Sequence, residues 1–157
     1  MNRTMKKTLL VCLIACTALL GGCSGKKKEV NVDIEALASK LATETVTSGS
    51  LTKTPADPVS IYFFDQDSYV SGVAYKSDGS IACEAAVIES SDEKGASAAE
   101  KKLQEHVDQQ IELYSSYNAG EVDKLKNAVI QSAGKYTVLC VCDDTAKAKD
   151  ILKEAGF

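Results

Sequence analysis

The chain is 157 residues and 16.7 kDa, enough for one ordinary domain and too short for two. It is 45% hydrophobic and 25% charged, which excludes collagen-like, fully disordered and polytopic membrane classes. A formal net charge of -4 argues against a nucleic-acid binder, and a single histidine beside six cysteines gives little material for a His-based metal or catalytic cluster.

The first thirty residues read as an address. Arg3, Lys6 and Lys7 form a basic n-region, and Thr8 to Leu20 is an apolar run of 13 residues broken only by threonine. As a helix that run covers roughly 20 Å, short of the ~30 Å hydrocarbon core, so it is a signal-peptide h-region and not a span. Leu20-Gly21-Gly22-Cys23 follows and resembles the lipobox of bacterial lipoproteins: an aliphatic residue, two small residues, then cysteine. The Cys23 thiol is the acceptor for a diacylglyceryl group. The small residues at the cleavage flank let a signal peptidase reach the backbone. The expected organisation is a signal peptide over 1–22, a lipidated tether over 23–30 and one extracytoplasmic domain over 31–157. Two acyl chains at ~0.8 kcal/mol per buried CH2 anchor stably where one does not. Lys26, Lys27 and Lys28 in the tether suit the headgroup region. The membrane is thus one expected partner, and the expected location is lipid-anchored on the outer face of the cytoplasmic membrane.

Loss of residues 1–22 removes three basic side chains and no acidic one, leaving 15 basic against 22 acidic, net -7. The body is acidic, which repels nucleic acid and serves solubility. Along it, Ile34, Leu37, Ala38 and Leu41 recur at helical spacing within 32–43, with Asn31 as N-cap. Residues 44–58, rich in Ser and Thr with Pro55 and Pro58, form a loop. Val59 to Phe64, Tyr69 to Lys76 and Ile81 to Glu89 read as three strands of a meander, turning at Asp65-Gln66-Asp67 and at Ser77-Asp78-Gly79. Ser90 to Asp92 caps a long helix over 93–117, striped by Ala96, Ala99, Leu103, Val107, Ile111, Tyr114 and Tyr117. A short helix over 121–128 follows. Strands over 129–132 and 136–142 then join at a glycine turn, and Asp143-Asp144-Thr145 caps a last helix over 146–154. The order α-β-β-β-α-α-β-β-α implies an α+β domain: an antiparallel sheet of about five strands with helices packed mainly on one face.

The run Glu84 to Glu89 (EAAVIE), the helix end Leu113 to Tyr117 (LYSSY), Glu121 to Ile130 (EVDKLKNAVI) and Gly134 to Asp144 (GKYTVLCVCDD) carry a resemblance. From Glu84 to Leu152 the chain resembles an uncharacterised domain family of lipoproteins, mostly from Gram-positive anaerobes. That family has no established activity, so the resemblance implies a fold and a location and no mechanism.

The candidate chemistry is sparse. Cys83, Cys140 and Cys142 remain in the body. Cys140 and Cys142 are two apart on one strand and share a face, a poor disulfide geometry, and Cys83 sits where it can pair with one of them across the sheet. Two thiolates are half a zinc site. The blander reading is three small core residues. His106 falls beside the apolar stripe of the long helix as a boundary residue. Glu84, Glu89, Asp143 and Asp144 gather at strand ends, with Asp143-Asp144 serving the helix cap. Tyr114 and Tyr117 read as core edge. There is no Gly-rich phosphate loop, G-x-S-x-G or H-E-x-x-H. The expectation is a non-enzymatic binding or accessory domain without cofactor or metal, engaging an unidentified protein or small molecule. The alternative is an extracytoplasmic thiol, redox or metal-binding protein using Cys140 and Cys142.

Overall fold

The computed structural model describes residues 30–157. The expected lipobox residues Leu20, Gly21 and Gly22, the expected lipid-attachment residue Cys23, and the expected tether up to residue 29 lie outside the described residues. Helix α1 spans Ile34–Glu44 and buries Leu37, Ala38, Leu41 and Ala42. Its N-cap is Asp33 rather than Asn31. The Asp33 carboxylate accepts the Ala36 amide at 3.0 Å, and Asn31 stands two residues too early to reach it.

The segment 44–58 is not all loop. Thr52–Lys53 forms a short edge strand, β1, antiparallel to the end of the next strand. The stretch expected as the first strand, Val59 to Phe64, is instead the short helix α2, Pro58–Tyr62. Asp57 caps it by accepting the Val59 amide at 3.1 Å, and Pro58 occupies the first turn, where its missing N–H costs nothing. The apolar run Val-Ser-Ile-Tyr-Phe-Phe satisfies either element. Local capping chemistry settles it.

Strands β2 (Tyr69–Lys76), β3 (Glu84–Ser90), β4 (Val129–Ala133) and β5 (Tyr136–Val141) complete a sheet of order β1-β2-β3-β5-β4 with every neighbouring pair antiparallel. The β2–β3 connection is longer than a two-residue Asp-Gly hairpin. It runs from Ser77 to Cys83, with Gly79 at φ 95° and the Asp78 carboxylate accepting from Ser80. The β4–β5 hairpin turns at Gly134, φ 56°. Helix α3, Glu93–Tyr117, is capped by Asp92. A 3-10 turn over Ala119–Glu121 leads into α4, Val122–Lys126, and α5 spans Thr145–Ala155 with Asp144 as cap.

The class is α+β with five antiparallel strands, as the pattern implies. The helices, however, cover both faces. Val73, Ala85, Val87, Val138 and Cys140 point toward α1 and α5. Their strand neighbours Ala74, Ala86, Ile88, Leu139 and Val141 point toward α2, α3 and α4. The physical reason lies in β3 and β5. All of β5 and six of seven β3 residues are buried, and a strand apolar on both faces needs cover on both.

Candidate functional site

Glu84 opens β3 with its side chain on the α3 face, 3% exposed and directly followed by the apolar run Ala85 to Ile88. A charged group so placed needs partners, because stripping water from an isolated carboxylate costs many kcal/mol. It has three. His106 Nε2 lies 2.7 Å from Oε1, Lys76 Nζ lies 2.8 Å from Oε2, and the Tyr62 hydroxyl donates to Oε2 at 3.2 Å. Each arrives from a different element. Lys76 is the cross-strand partner of Glu84 in the β2–β3 ladder, Tyr62 ends α2, and His106 is mid-way along α3. The Tyr62 and His106 rings meet edge to face at 4.8 Å between centroids, and Lys76 Nζ stands 5.6 Å above the Tyr62 ring.

Burial alone would raise the Glu84 pKa. The His106 and Lys76 contacts outweigh it, so the carboxyl is held below its ordinary range. The Tyr62 phenol is pushed well up by burial and by the adjacent carboxylate. Beside this cluster is a cleft of about 230 Å³ lined by Ile61, Tyr62, Phe63, Lys102, Glu105, His106 and Gln109. Phe63 is 78% exposed and sits at φ 56°, ψ 46°, left-handed backbone that a bulky residue rarely adopts. Tyr62 and Phe64 on either side are both buried, and the left-handed turn between them throws the Phe63 ring outward onto the cleft.

The other expected residues are distributed as follows. Cys83, Cys140 and Cys142 are all free and buried, on the opposite face of the sheet from Glu84. Asp143 does not cap α5. It accepts the Thr47 and Ser48 amides at 2.7 and 2.8 Å and pairs with Lys124 at 2.9 Å, which together hold its carboxyl far below the usual range despite burial. Lys124 also meets Glu121 at 3.0 Å and Ser48 Oγ at 2.9 Å. Asp144 is the cap. Glu89 is at the far end of β3 from Glu84, paired with Lys135 and accepting from Ser71. Tyr114 and Tyr117 clamp the β2–β3 loop through its carbonyls at Ile81 and Gly79. Among the described residues no group of three or more His, Cys, Asp or Glu is arranged to hold a metal ion.

The sequence reading placed Glu84 and His106 singly and did not join them. Phe63 went unremarked because the α2 segment reads as a strand, and Lys76 because strand register, which pairs it with Glu84, is not visible in the sequence. The available signal was Glu84 itself, a carboxylate placed directly before four apolar residues, Ala85 to Ile88.

A family model covers this site in full. Its match runs over residues 56–142 to a family described as a domain of unknown function, DUF4358. The chain belongs to that family. No curated protein and no solved structure matches the chain. The DUF4358 stretch contains Tyr62, Lys76, Glu84, His106 and all three body cysteines. It includes β2 to β5 with α2, α3 and α4, whereas α1 and α5 lie outside it. Within the DUF4358 stretch, then, the helices do stand on one face, and the flanking helices supply the second layer.

Proposed function

We propose that this protein is a lipid-anchored extracytoplasmic binding domain whose cleft beside His106 takes the ligand. The observation that carries the reading is the position of Val30, seven residues after Cys23. Val30 lies beside the β4–β5 turn and the end of α5, its side-chain carbons 3.8–3.9 Å from where Cβ atoms on Gly156 and Gly134 would stand. In the β3–β5 ladder Glu89 pairs with Tyr136, next to that turn, and Glu84 pairs with Val141 at the far end. Five strand steps of about 3.3 Å separate the two poles. A chain entering from the bilayer at Val30 therefore presents the Glu84–His106 end of the sheet outward.

The chemistry supports binding over catalysis. Three donors occupy the Glu84 oxygens, so the carboxylate serves to orient the imidazole and to fix Tyr62 as the cleft wall. The cleft then offers an aromatic flap at Phe63, the imidazole edge, and the polar groups of Gln109 and Lys102. This suits a small polar molecule or a side chain of a protein partner.

A photo-crosslinking amino acid at Phe63 in living cells tests the reading. A reproducible adduct from position 63, absent when the same group is at exposed Lys149, is the expected result. Equal labelling from the two positions, or none from 63, overturns it.

A further inference from the structure

We propose that the cleft beside His106 takes one neutral sugar ring, free or at the end of a glycan, an assignment that rests on the cleft being the ligand site. The hydrogen-bonding groups at its wall point that way. His106 Nε2 lies 2.7 Å from Oε1 of Glu84, an ionised carboxylate that can only accept, so Nε2 bears a proton. The other ring nitrogen has no partner in the protein. Among the described residues no buried side-chain nitrogen or oxygen lacks a hydrogen bond, so Nδ1 is open to solvent. In the neutral ring this atom is an acceptor. Glu84 and the edge-to-face Tyr62 ring hold the imidazole in place, so a ligand need not order it. Lys102, Glu105 and Gln109 line the same cleft and share one face of α3 with His106 at i, i+3, i+4 and i+7 spacing. They add a donor, an acceptor and an amide that is both.

Charge then selects among ligands. Lys102 Nζ and Glu105 Oε2 are paired at 2.7 Å. An anion drawn to Lys102 meets Glu105, and a cation drawn to Glu105 meets Lys102. Deeper in, Lys76 balances Glu84. Neither kind of ion gains from such a wall, because each attraction comes with an adjacent repulsion. A hydroxyl donates and accepts at once. A ring bearing several hydroxyls can donate to Nδ1 and Glu105 and accept from Lys102 and Gln109 without parting the ion pair.

Phe63 serves the other side of such a ligand. Its ring is 78% exposed and lines the same cleft, and its electron-rich face suits the C–H face of a sugar ring. Size agrees. The cleft holds about 230 Å³. Sites for drug-sized ligands run to roughly 300–1,000 Å³, so this one suits a single ring and not a longer ligand.

His106 is the only histidine of the chain, so the full-length protein carrying 15N-histidine reports on the cleft directly. It is held in a detergent without a sugar headgroup, at a pH where its two nitrogen signals show the neutral ring. The methyl glycosides of glucose, galactose and mannose are titrated in, with acetate and methylammonium as charged probes and cellobiose and lactose as glycan ends. The unliganded spectrum should place the proton on Nε2. At least one glycoside should then move the Nδ1 signal to saturation, and the two ions should leave it still. Phe63→Ala and Gln109→Ala should each weaken that response about three- to tenfold, the worth of one aromatic contact or one hydrogen bond. A proton on Nδ1, a response to an ion alone, a glycoside response that both variants leave unchanged, or no response to any sugar would overturn the proposal. If the sugars fail while position 63 still captures a partner by photo-crosslinking, the cleft remains the ligand site and only the ligand class falls. If both fail, both readings fall. Should a variant misfold, the wild-type comparison of sugars with ions still decides.

Discussion

Glu84 is the residue on which the α2–α3 face of the sheet turns, because it brings a charge into an apolar strand and gathers three elements to neutralise it. Glu84→Gln removes the charge and leaves Lys76 and His106 facing each other without it. The expected loss is about 3 kcal/mol, the lower end for breaking a buried pair because Lys76 still reaches water. A shift in the urea midpoint measures it, and an unchanged midpoint would show that the cluster is not structural. The same residue sets an acid dependence. Glu84 and Asp143 are both depressed in the folded protein, whereas unfolded carboxyls titrate near about 4. Below that value the unfolded chain binds more protons than the folded one. The stability these two residues add is therefore complete above about pH 5 and is lost as the pH falls through about 4 and below. Urea midpoints between pH 6 and 3.5 should fall, and Glu84→Gln with Asp143→Asn should flatten the slope. Phe63 makes the opposite case. Its ring is exposed and its backbone left-handed, so Phe63→Gly should keep stability within about 1 kcal/mol of wild type while weakening ligand capture. A loss of several kcal/mol in its melting curve would mean that the ring holds the fold and not the ligand.

At the level of elements, capping chemistry and close packing decide what periodicity leaves open. The helical stripe over 93–117 is legible because its period is sustained for six turns and the Asp92 cap stands at the right place. The five residues of α2 give no period to read, and their identity rests on Asp57-Pro58. Gly95 shows the same priority of tertiary contact. In the first turn of α3 a glycine ordinarily costs up to about 1 kcal/mol against alanine. Here a Cβ would stand 2.9 Å from Ser90 Cβ and 3.2 Å from Ser68 Cβ, atoms fixed to the backbone of β3 and of the turn before β2. Gly95→Ala should therefore destabilise, by about 1–3 kcal/mol, as the helix start is pushed off the sheet. Thermal unfolding of the purified variant checks the sign, and a higher melting temperature would refute the argument.

For the whole molecule, the two helical layers follow from a sheet in which β3 and β5, two of the three inner strands, are buried on both faces. The anchoring proposal belongs at this scale too. Cys23→Ala should leave the precursor uncleaved or release the protein from the membrane fraction on centrifugation. Unchanged mature size with full membrane retention would remove the lipid anchor from the proposal. The acidic body, 12 basic against 22 acidic side chains once the leader and tether lysines are set aside, favours a domain held off an anionic surface.

Several features needed only the sequence. Strands and long helices announce themselves through period. The α+β class and the burial of Cys83, Cys140 and Cys142 come from such local patterns. Tertiary structure decided the rest. It joined Glu84 to His106 across 22 residues and set Tyr62 and Lys76 around them. Those contacts depend on strand register and on which face a helix covers. Both are fixed by burying apolar area over the entire sheet, a quantity that no short window of sequence contains.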